Sequence, residues 1–504
     1  MDRNDRADEE SCSSSSLSTH SQYMRAALDD CNSLVERLCE LLHLKNSDLC
    51  AQITTQLPKN EIYQGIQKLF QTAYITSGEI EKERELVLQN FQDKVSLDIL
   101  HVDKNGWYKE GDETNNTPLT PSDFKQQYCF QNIPCIIRGL DQLHFKGVSL
   151  NWIISTSKCN SRINTKWFER NVGADTMVPV RIDGRNELDK DGRAEECETV
   201  MMSLQDWIAR CEQKANMGEE VSSEYYLKDW HLVQLLQNKR STHGDISGND
   251  GISDASRLYE TPECFERDLL NNFLEKYSDG GDFKFVYWGP EGSITRCHSD
   301  VLHSFSWSYN VTGMKKWTFY VPNSETGDKN TFEVIQQRGE TIFVSSKIQH
   351  EVVNLVETLS INHNWITSAN IDNTWQCICS EINAIDDELK EWGSISMDDF
   401  EARENMLRGC IGVDVTTFFF MILLEVLELF TRVLSTKYCN ERNEFALSIV
   451  KLGRVLGEVS TCEETMSSKR LQAVLGSNVR AMEADRLATF AVDLINEVMK
   501  PISS

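Results

Sequence analysis

The sequence predicts an α+β protein in which a small closed β-structure, a barrel or jelly roll, sits between helical regions. Three observations predict it. Residues 23–100 and the chain beyond Asn370 carry apolar side chains at intervals of three and four, the helical period. Residues 295–365 instead alternate apolar and polar side chains between glycine and proline punctuation, the strand period. Finally, a His-x-Asp pair, His298 and Asp300, is answered by His350 only after several strand-like runs, so bringing the three together requires a sheet that closes on itself.

The elements follow in chain order. Residues 1–22 are charged and then serine-rich, the composition of a disordered tail. From Tyr23 to Leu100, Leu34, Val35, Leu38, Leu41 and Leu42, then Ile62, Ile66, Leu69 and Phe70, mark helices expected to pack together and against the β-structure. The core runs over 101–370, and within it the polar stretch 238–257, with three glycines, reads as a surface insertion, an idle loop by default. LYETPECFERDLLNNFLEKY (258–277) reads as a helix leading into the strand FKFVYW.

Phe305, Trp307, Tyr309, Val311, Trp317, Phe319 and Val321 then alternate through a strand-like run. Gly313 is its turn and Pro322 its end; strands over Thr341–Val344, Val352–Leu355 and Thr358–Ile366 follow. The region 371–504 is helical: Ile382–Trp392, Asp398–Cys410, Val415–Ser435, Glu441–Leu456 and Leu471–Met499. Met406 and Leu407 are expected to share a core with Phe418, Phe419 and Phe420. No internal repeat of fixed period is visible.

Composition narrows the partners. The 504 residues suggest two or three units. A formal net charge of −27, from 78 acidic and 51 basic side chains, opposes binding to nucleic acid and suits a basic protein segment. The 16 cysteines are scattered, and the one tight pair, Cys377-x-Cys379, lacks zinc-ribbon or redox spacing. With no signal-peptide pattern at the start, reduced intracellular thiols are the reading, and a cytoplasmic location, with the nucleus second, goes with it. The apolar run Thr416 to Leu424 is too short to span a bilayer, and Glu425 and Glu428 follow it, so no membrane association is expected.

Two imidazoles and one carboxylate on one face are the ligand set of a non-haem iron(II) oxygenase, because half of the metal's positions stay open. In an extended strand His298 and Asp300 project to the same side, with Cys297 and Ser299 turned away. His303 falls on the opposite face. Between His350 and His363 as the third ligand, spacing alone does not choose.

GPEGSITRCHSD, SFSWSYNVTGMKKW and GETIFVSSKIQHEVVNLVETLSINHNW together resemble the Jumonji C class of 2-oxoglutarate oxygenases, in particular its lysyl hydroxylase type. The resemblance extends upstream through FQNIPCIIRGL (130–140), VGADTMVPV (172–180) and YYLKDWHL (225–232), and so covers about Phe124 to Trp365 with gaps. It implies a double-stranded β-helix, the cupin-like jelly roll. It assigns iron(II) to His298, Asp300 and His350, and so selects His350 over His363. It places Lys315 against the distal carboxylate of 2-oxoglutarate, with Thr295 and Tyr226 at the same end and Asn362 and Asn364 on the flanking strand. An inward lysine beside a metal site itself implies an anionic ligand, since a buried cation is costly unless paired. Ser308 stands where some relatives carry asparagine.

The chemistry implied is oxidative decarboxylation of 2-oxoglutarate coupled to hydroxylation of an unactivated carbon, with dioxygen as oxidant and ascorbate as reductant. The lysyl-hydroxylating type further implies a translation release factor as protein substrate. A lysine N-demethylase uses the same chemistry and is the second reading. Against it, the chain shows no zinc-binding Cys/His cluster or basic localisation run beside the core. A non-catalytic scaffold is the third, disfavoured because the three ligand positions and Lys315 are all filled by suitable residues. Asp229 is nominated for a substrate ammonium by its proximity to Tyr226 only. The resemblance offers two roles for the C-terminal helices, a homodimer or support of the substrate side, and the sequence does not separate these from plain folding support.

Overall fold

The computed structural model describes residues 19–42, 61–91, 97–103, 106–110, 120–155, 161–182, 198–217, 225–242, 258–279, 281–322, 329–392, 400–436, 439–461, 468–475 and 477–500. Eight strands form its centre: β1 (Lys284–Gly289), β2 (Ile294–His298), β3 (Phe305–Thr312), β4 (Lys315–Pro322), β5 (Lys329–Gln336), β6 (Thr341–Val344), β7 (Gln349–Asn354) and β8 (Thr358–Trp365). They divide between two sheets. One has the order β6-β3-β8-β1 within a ten-stranded sheet, and the other is β2-β7-β4-β5. Apart from the β4–β5 hairpin, the chain changes sheet at every connection, so residues distant in sequence face each other across the space between the sheets.

Strand alternation decides what fills that space. Along β3 the odd residues Phe305, Trp307, Tyr309 and Val311 join the large apolar core beneath the helices, where Phe145 stacks on Tyr309 at 3.8 Å and Phe265 on Trp307 at 5.2 Å. Its even residues are Ser306, Ser308, Asn310 and Thr312, and the first of these turns toward Asp300 between the sheets. In the facing sheet, Trp317, Phe319, Val321, Phe332, Val334 and Val352 make a second, smaller core. One end of the interior is therefore closed by hydrocarbon, and the other is polar. Gly313 makes the β3–β4 turn at φ +93, where a Cβ would lie 2.4 Å from the Glu357 carbonyl oxygen.

The larger sheet is extended on both sides. Cys135–Arg138 pairs with β6, and Asp98–Asp103 and Gly106–Lys109 follow it. Beyond β1 come Tyr225–Trp230, Met177–Ile182 and Glu198–Ser203. The architecture is thus mixed, with a large, mainly antiparallel sheet, a second sheet facing it, and helices at both ends of the chain.

The helical regions differ from expectation in partnership more than in position. Thr19–Leu41 lies on Val415–Ser435, and Glu61–Phe91 lies on Cys439–Thr461 and Asn478–Met499, so the N-terminal helices pack chiefly against the C-terminal ones. Phe70 stacks on Phe430 at 5.4 Å, the Arg25 guanidinium donates to the Leu475 carbonyl oxygen at 2.7 Å, and Asn32 donates to Glu483 at 2.9 Å. Buried Leu407 and Phe418, Phe419 and Phe420 belong to this layer, with Met406 at its edge and Trp375 stacked on Phe418. Among the described residues no single helix is long and apolar enough to cross a membrane.

Several boundaries move. Of the tail 1–22, Thr19 onward already belongs to the first helix, and the rest lies outside the described residues. Asn238–Thr242 of the insertion finish the helix Leu232–Thr242, and 243–257 lie outside. The helix expected over 258–277 is confined to Leu269–Tyr277, after a tight turn at Glu263–Phe265. Arg267 at φ 61 breaks the run, and Asp268 caps the new start by accepting from the Asn271 N–H at 3.0 Å. The last helix is split by the extended Ser477 into Ser468–Leu475 and Asn478–Met499.

Candidate metal and 2-oxoglutarate site

His298 ends β2, and His350 is its direct partner across the antiparallel β2–β7 ladder, which sets the two rings 4.5 Å apart. Asp300 lies just past the strand, at the start of the turn Val301–His303. One ligand atom from each of the three lies within 4.8 Å of the others, and His298 Nε2 is 3.9 Å from Asp300 Oδ1.

The hydrogen bonds fix which atoms are offered. His298 Nδ1 lies 2.9 Å from the Arg296 carbonyl oxygen, and His350 Nδ1 lies 3.2 Å from that of Ile348. A carbonyl oxygen only accepts, so each Nδ1 carries the proton and each Nε2 presents its lone pair. Ser306 Oγ donates to Asp300 Oδ2 at 2.7 Å, leaving Oδ1 on the histidine side. Burial holds the His350 imidazole below its ordinary basicity, which keeps it neutral and able to ligate. Two neutral nitrogens and one carboxylate oxygen suit an octahedral iron(II) with three positions left open. His350 is buried against the rings of Trp317 and Phe319, whereas the His298 side chain is 40% exposed, so the centre opens on the His298 side.

The turn that carries Asp300 is unusual and braced. Leu302 (φ 59) and His303 (φ 45) are consecutive left-handed residues, a conformation costly for side chains with a Cβ. Leu302 is buried in the core. Ser346 Oγ donates to the His303 carbonyl oxygen at 2.6 Å and accepts from Asn373 Nδ2 at 2.8 Å, while His303 Nδ1 donates to the Asn373 carbonyl oxygen at 3.3 Å. Asn373 belongs to the helix Ile371–Trp392. His303 is thereby turned away from the metal ligands. His363, the rival third ligand, is buried on the outer face of β8, where its Nε2 meets the Tyr259 hydroxyl at 2.8 Å and its ring packs on Trp307 at 4.1 Å.

A second cluster of polar groups lies further along the same interior. Lys315, at the start of β4, is buried and donates to Ser360 Oγ at 2.7 Å. Desolvation, helped by the nearby Lys228 ammonium, lowers its pKa to about 7. Asn362 donates to the same Ser360 hydroxyl at 3.0 Å, and Lys228 Nζ donates to Thr295 Oγ1 at 3.0 Å. Tyr226 is buried, which pushes its phenol above the ordinary range. Gly289 makes room here: a Cβ would stand 2.4 Å from Asn354 Nδ2 and Ser293 Oγ, and 2.6 Å from the Tyr226 ring. Asn364 is placed elsewhere. Its amide donates to Ser304 Oγ at 3.0 Å, at the metal end of β8, opposite Ser306 in register.

Asp229 (φ 54) accepts from the Tyr287 hydroxyl at 2.9 Å. Lys228, Ser306, Ser360 and Tyr287 were missed from the sequence. Parity could have found three of them, since Lys228 is two residues from Tyr226 on one strand and Ser306 and Ser360 share inward faces with Ser308 and Asn362.

No family model matches the chain. Curated proteins do. The 2-oxoglutarate and iron-dependent oxygenase JMJD4 of Mus musculus is 28% identical over 328 residues, covering 59% of this chain and 70% of the mouse protein. JMJD4 of Danio rerio is 34% identical over 222 residues, or 38% and 48% of the two chains. The arginine-specific demethylase JMJ20 of Arabidopsis thaliana is 27% identical over 394 residues, or 70% and 78%. These similarities join the convergence of His298, Asp300 and His350 on one point: the chain is similar to Jumonji C oxygenases that depend on 2-oxoglutarate and iron.

Proposed function

We propose that this oxygenase is a protein hydroxylase that places a hydroxyl on a lysine side-chain carbon of a cytoplasmic protein, a translation release factor being the substrate suggested by its resemblance to the lysyl-hydroxylating type. The alternation of β1 to β8 between two sheets supports reading the core as a double-stranded β-helix, a jelly roll. The observation that carries the enzymatic reading is the completeness of the site: three ligand atoms within 4.8 Å, two imidazoles fixed with Nε2 free, and a buried ammonium further along the same interior. A scaffold would have no use for a cation kept at this desolvation cost.

Each residue's part follows from its position. His298 and His350 would hold iron through Nε2 and Asp300 through Oδ1, with Ser306 fixing the carboxylate's orientation. Lys315, with Ser360 and Thr295 nearby, would hold the distal carboxylate of 2-oxoglutarate. Trp317 and Phe319 exclude water from the His350 side, and the exposed edge of His298 leaves the approach for a side chain. Iron with 2-oxoglutarate supplies activation of dioxygen, decarboxylation to succinate, and transfer of an oxygen atom. The formal charge of −27 favours a basic peptide over nucleic acid.

One finding favours a second reading. JMJ20, named an arginine-specific demethylase, aligns with 70% of this chain, and an N-methyl group set over the same centre would be lost as formaldehyde. Mass spectrometry of release-factor peptides and of methylated arginine and lysine peptides, after incubation with the protein, iron(II), ascorbate, oxygen and 2-oxoglutarate, separates the two. A gain of one oxygen without formaldehyde is expected. Methyl loss with formaldehyde would replace the hydroxylase reading.

A further inference from the structure

The interior between the sheets holds two buried ammonium groups, whereas the resemblance accounts for one. Lys228 is 6% exposed and lies on the strand Tyr225–Trp230. Its Nζ donates to Thr295 Oγ1 at 3.0 Å and lies 5.6 Å from the Tyr226 ring centre and 5.2 Å from that of Tyr287. A bulge puts it there. Leu227 pairs with Trp288 and Trp230 with Val286, so one extra residue is taken up around the left-handed Asp229, and Leu227 and Trp230 both reach the outer core while Lys228 stays inside. Its partner Thr295 lies on β2, three residues before His298, and the Lys228 charge bears on both Lys315 and His350.

Two like charges in one desolvated space repel each other, and a carboxylate within reach of both relieves that repulsion. We propose that Lys228 is a second cation of the co-substrate pocket, binding the distal carboxylate of 2-oxoglutarate together with Lys315 and making the site selective for a dicarboxylic keto acid. Thr295, whose hydroxyl already accepts from Lys228, is then oriented by it, so its remaining donor capacity is directed to the same carboxylate. The inference rests on the 2-oxoglutarate dependence of the chain and not on the identity of its protein substrate.

The test is equilibrium binding to the full chain, with manganese(II) in place of iron and neither oxygen nor peptide present. Titrants are 2-oxoglutarate and 2-oxobutyrate, which keeps the keto acid but lacks the distal carboxylate. Loss of one charge-assisted hydrogen bond predicts that K228M binds 2-oxoglutarate about tenfold or more weakly. Its affinity for 2-oxobutyrate should change less than threefold, and K228R should recover most of the loss. K228Q, which keeps a donor for Thr295 but not the charge, guards against a folding defect and should also lose affinity. A 2-oxoglutarate affinity within threefold of wild type in both K228M and K228Q would overturn the proposal, as would equal losses for the two acids. Wild-type protein that binds neither acid would strike at the co-substrate assignment itself, a different failure from selective retention of binding in the variants.

Discussion

Replacing Ser306 by alanine removes one hydroxyl and should weaken the metal. Ser306 Oγ is the donor to Asp300 Oδ2, at 2.7 Å, and it leaves Oδ1 as the oxygen facing His298. A hydrogen bond to a charged acceptor contributes about 1.5–3 kcal/mol, and about 1.4 kcal/mol is a factor of ten. The Asp300 side chain is 12% exposed, so water can partly replace the lost donor, which puts the effect at the lower end, about tenfold in manganese(II) affinity. Isothermal titration of manganese(II) into wild type and S306A measures this. S308A is the control, because the Ser308 hydroxyl two residues along the same face is buried without a hydrogen-bond partner, and its loss should leave both affinity and stability within error. Equal metal affinity in S306A and wild type, or an equal loss in S308A, would refute the argument that this hydroxyl orients the carboxylate.

Three further outcomes are expected. H298A should abolish succinate formation from 2-oxoglutarate while shifting unfolding by no more than about 0.5 kcal/mol, since its side chain is 40% exposed; assays of succinate and circular dichroism melting check both halves. G289A should cost about 1–3 kcal/mol and weaken 2-oxoglutarate binding, because the new Cβ meets Asn354, Ser293 and Tyr226 at 2.4–2.6 Å; the denaturant midpoint and the binding isotherm report it. Binding of 2-oxoglutarate should take up a proton above about pH 7. The free site holds Lys315 at a pKa of about 7, a bound carboxylate stabilises the ammonium, and so the complex carries more protons than the free protein and affinity falls as pH rises; titrations in two buffers of different ionisation enthalpy measure the uptake.

The strands were legible where one face was apolar. The alternation through Phe305 to Val321 and the punctuation by Gly313 and Pro322 match β3 and β4 closely. The strand β5 went unread because its inward side chains, Phe332, Val334 and Gln336, include a polar one; Gln336 is fully buried and spends its amide on the Ser308 and Glu340 carbonyl oxygens and the Trp317 indole. The His-x-Asp spacing pointed to residues that the fold does bring together with His350, yet the reason they meet is partly different. Asp300 leaves the strand, and a kink at Leu302 and His303, which no local propensity favours, sets its direction. Lys228, two residues from Tyr226, was open to parity; the bulge at Asp229 that turns Trp230 back to the outer core was not, because a bulge is a non-local compromise between two strands.

The brace on the Asp300 turn also bears on how this chemistry can be inherited or borrowed. A chain ending after β8 would keep both histidines, the aspartate and Lys315. It would lose Asn373, and with it the contacts that join Ser346 and His303 to the helix Ile371–Trp392. Left-handed Leu302 and His303 would then be free to relax, and the carboxylate would swing while its two partners stayed in register across the ladder. The oxygenase centre is therefore not a detachable module. Asp300 is held in place from a helix that starts only after the last strand is complete, which would tie acquisition of a metal to completion of the fold.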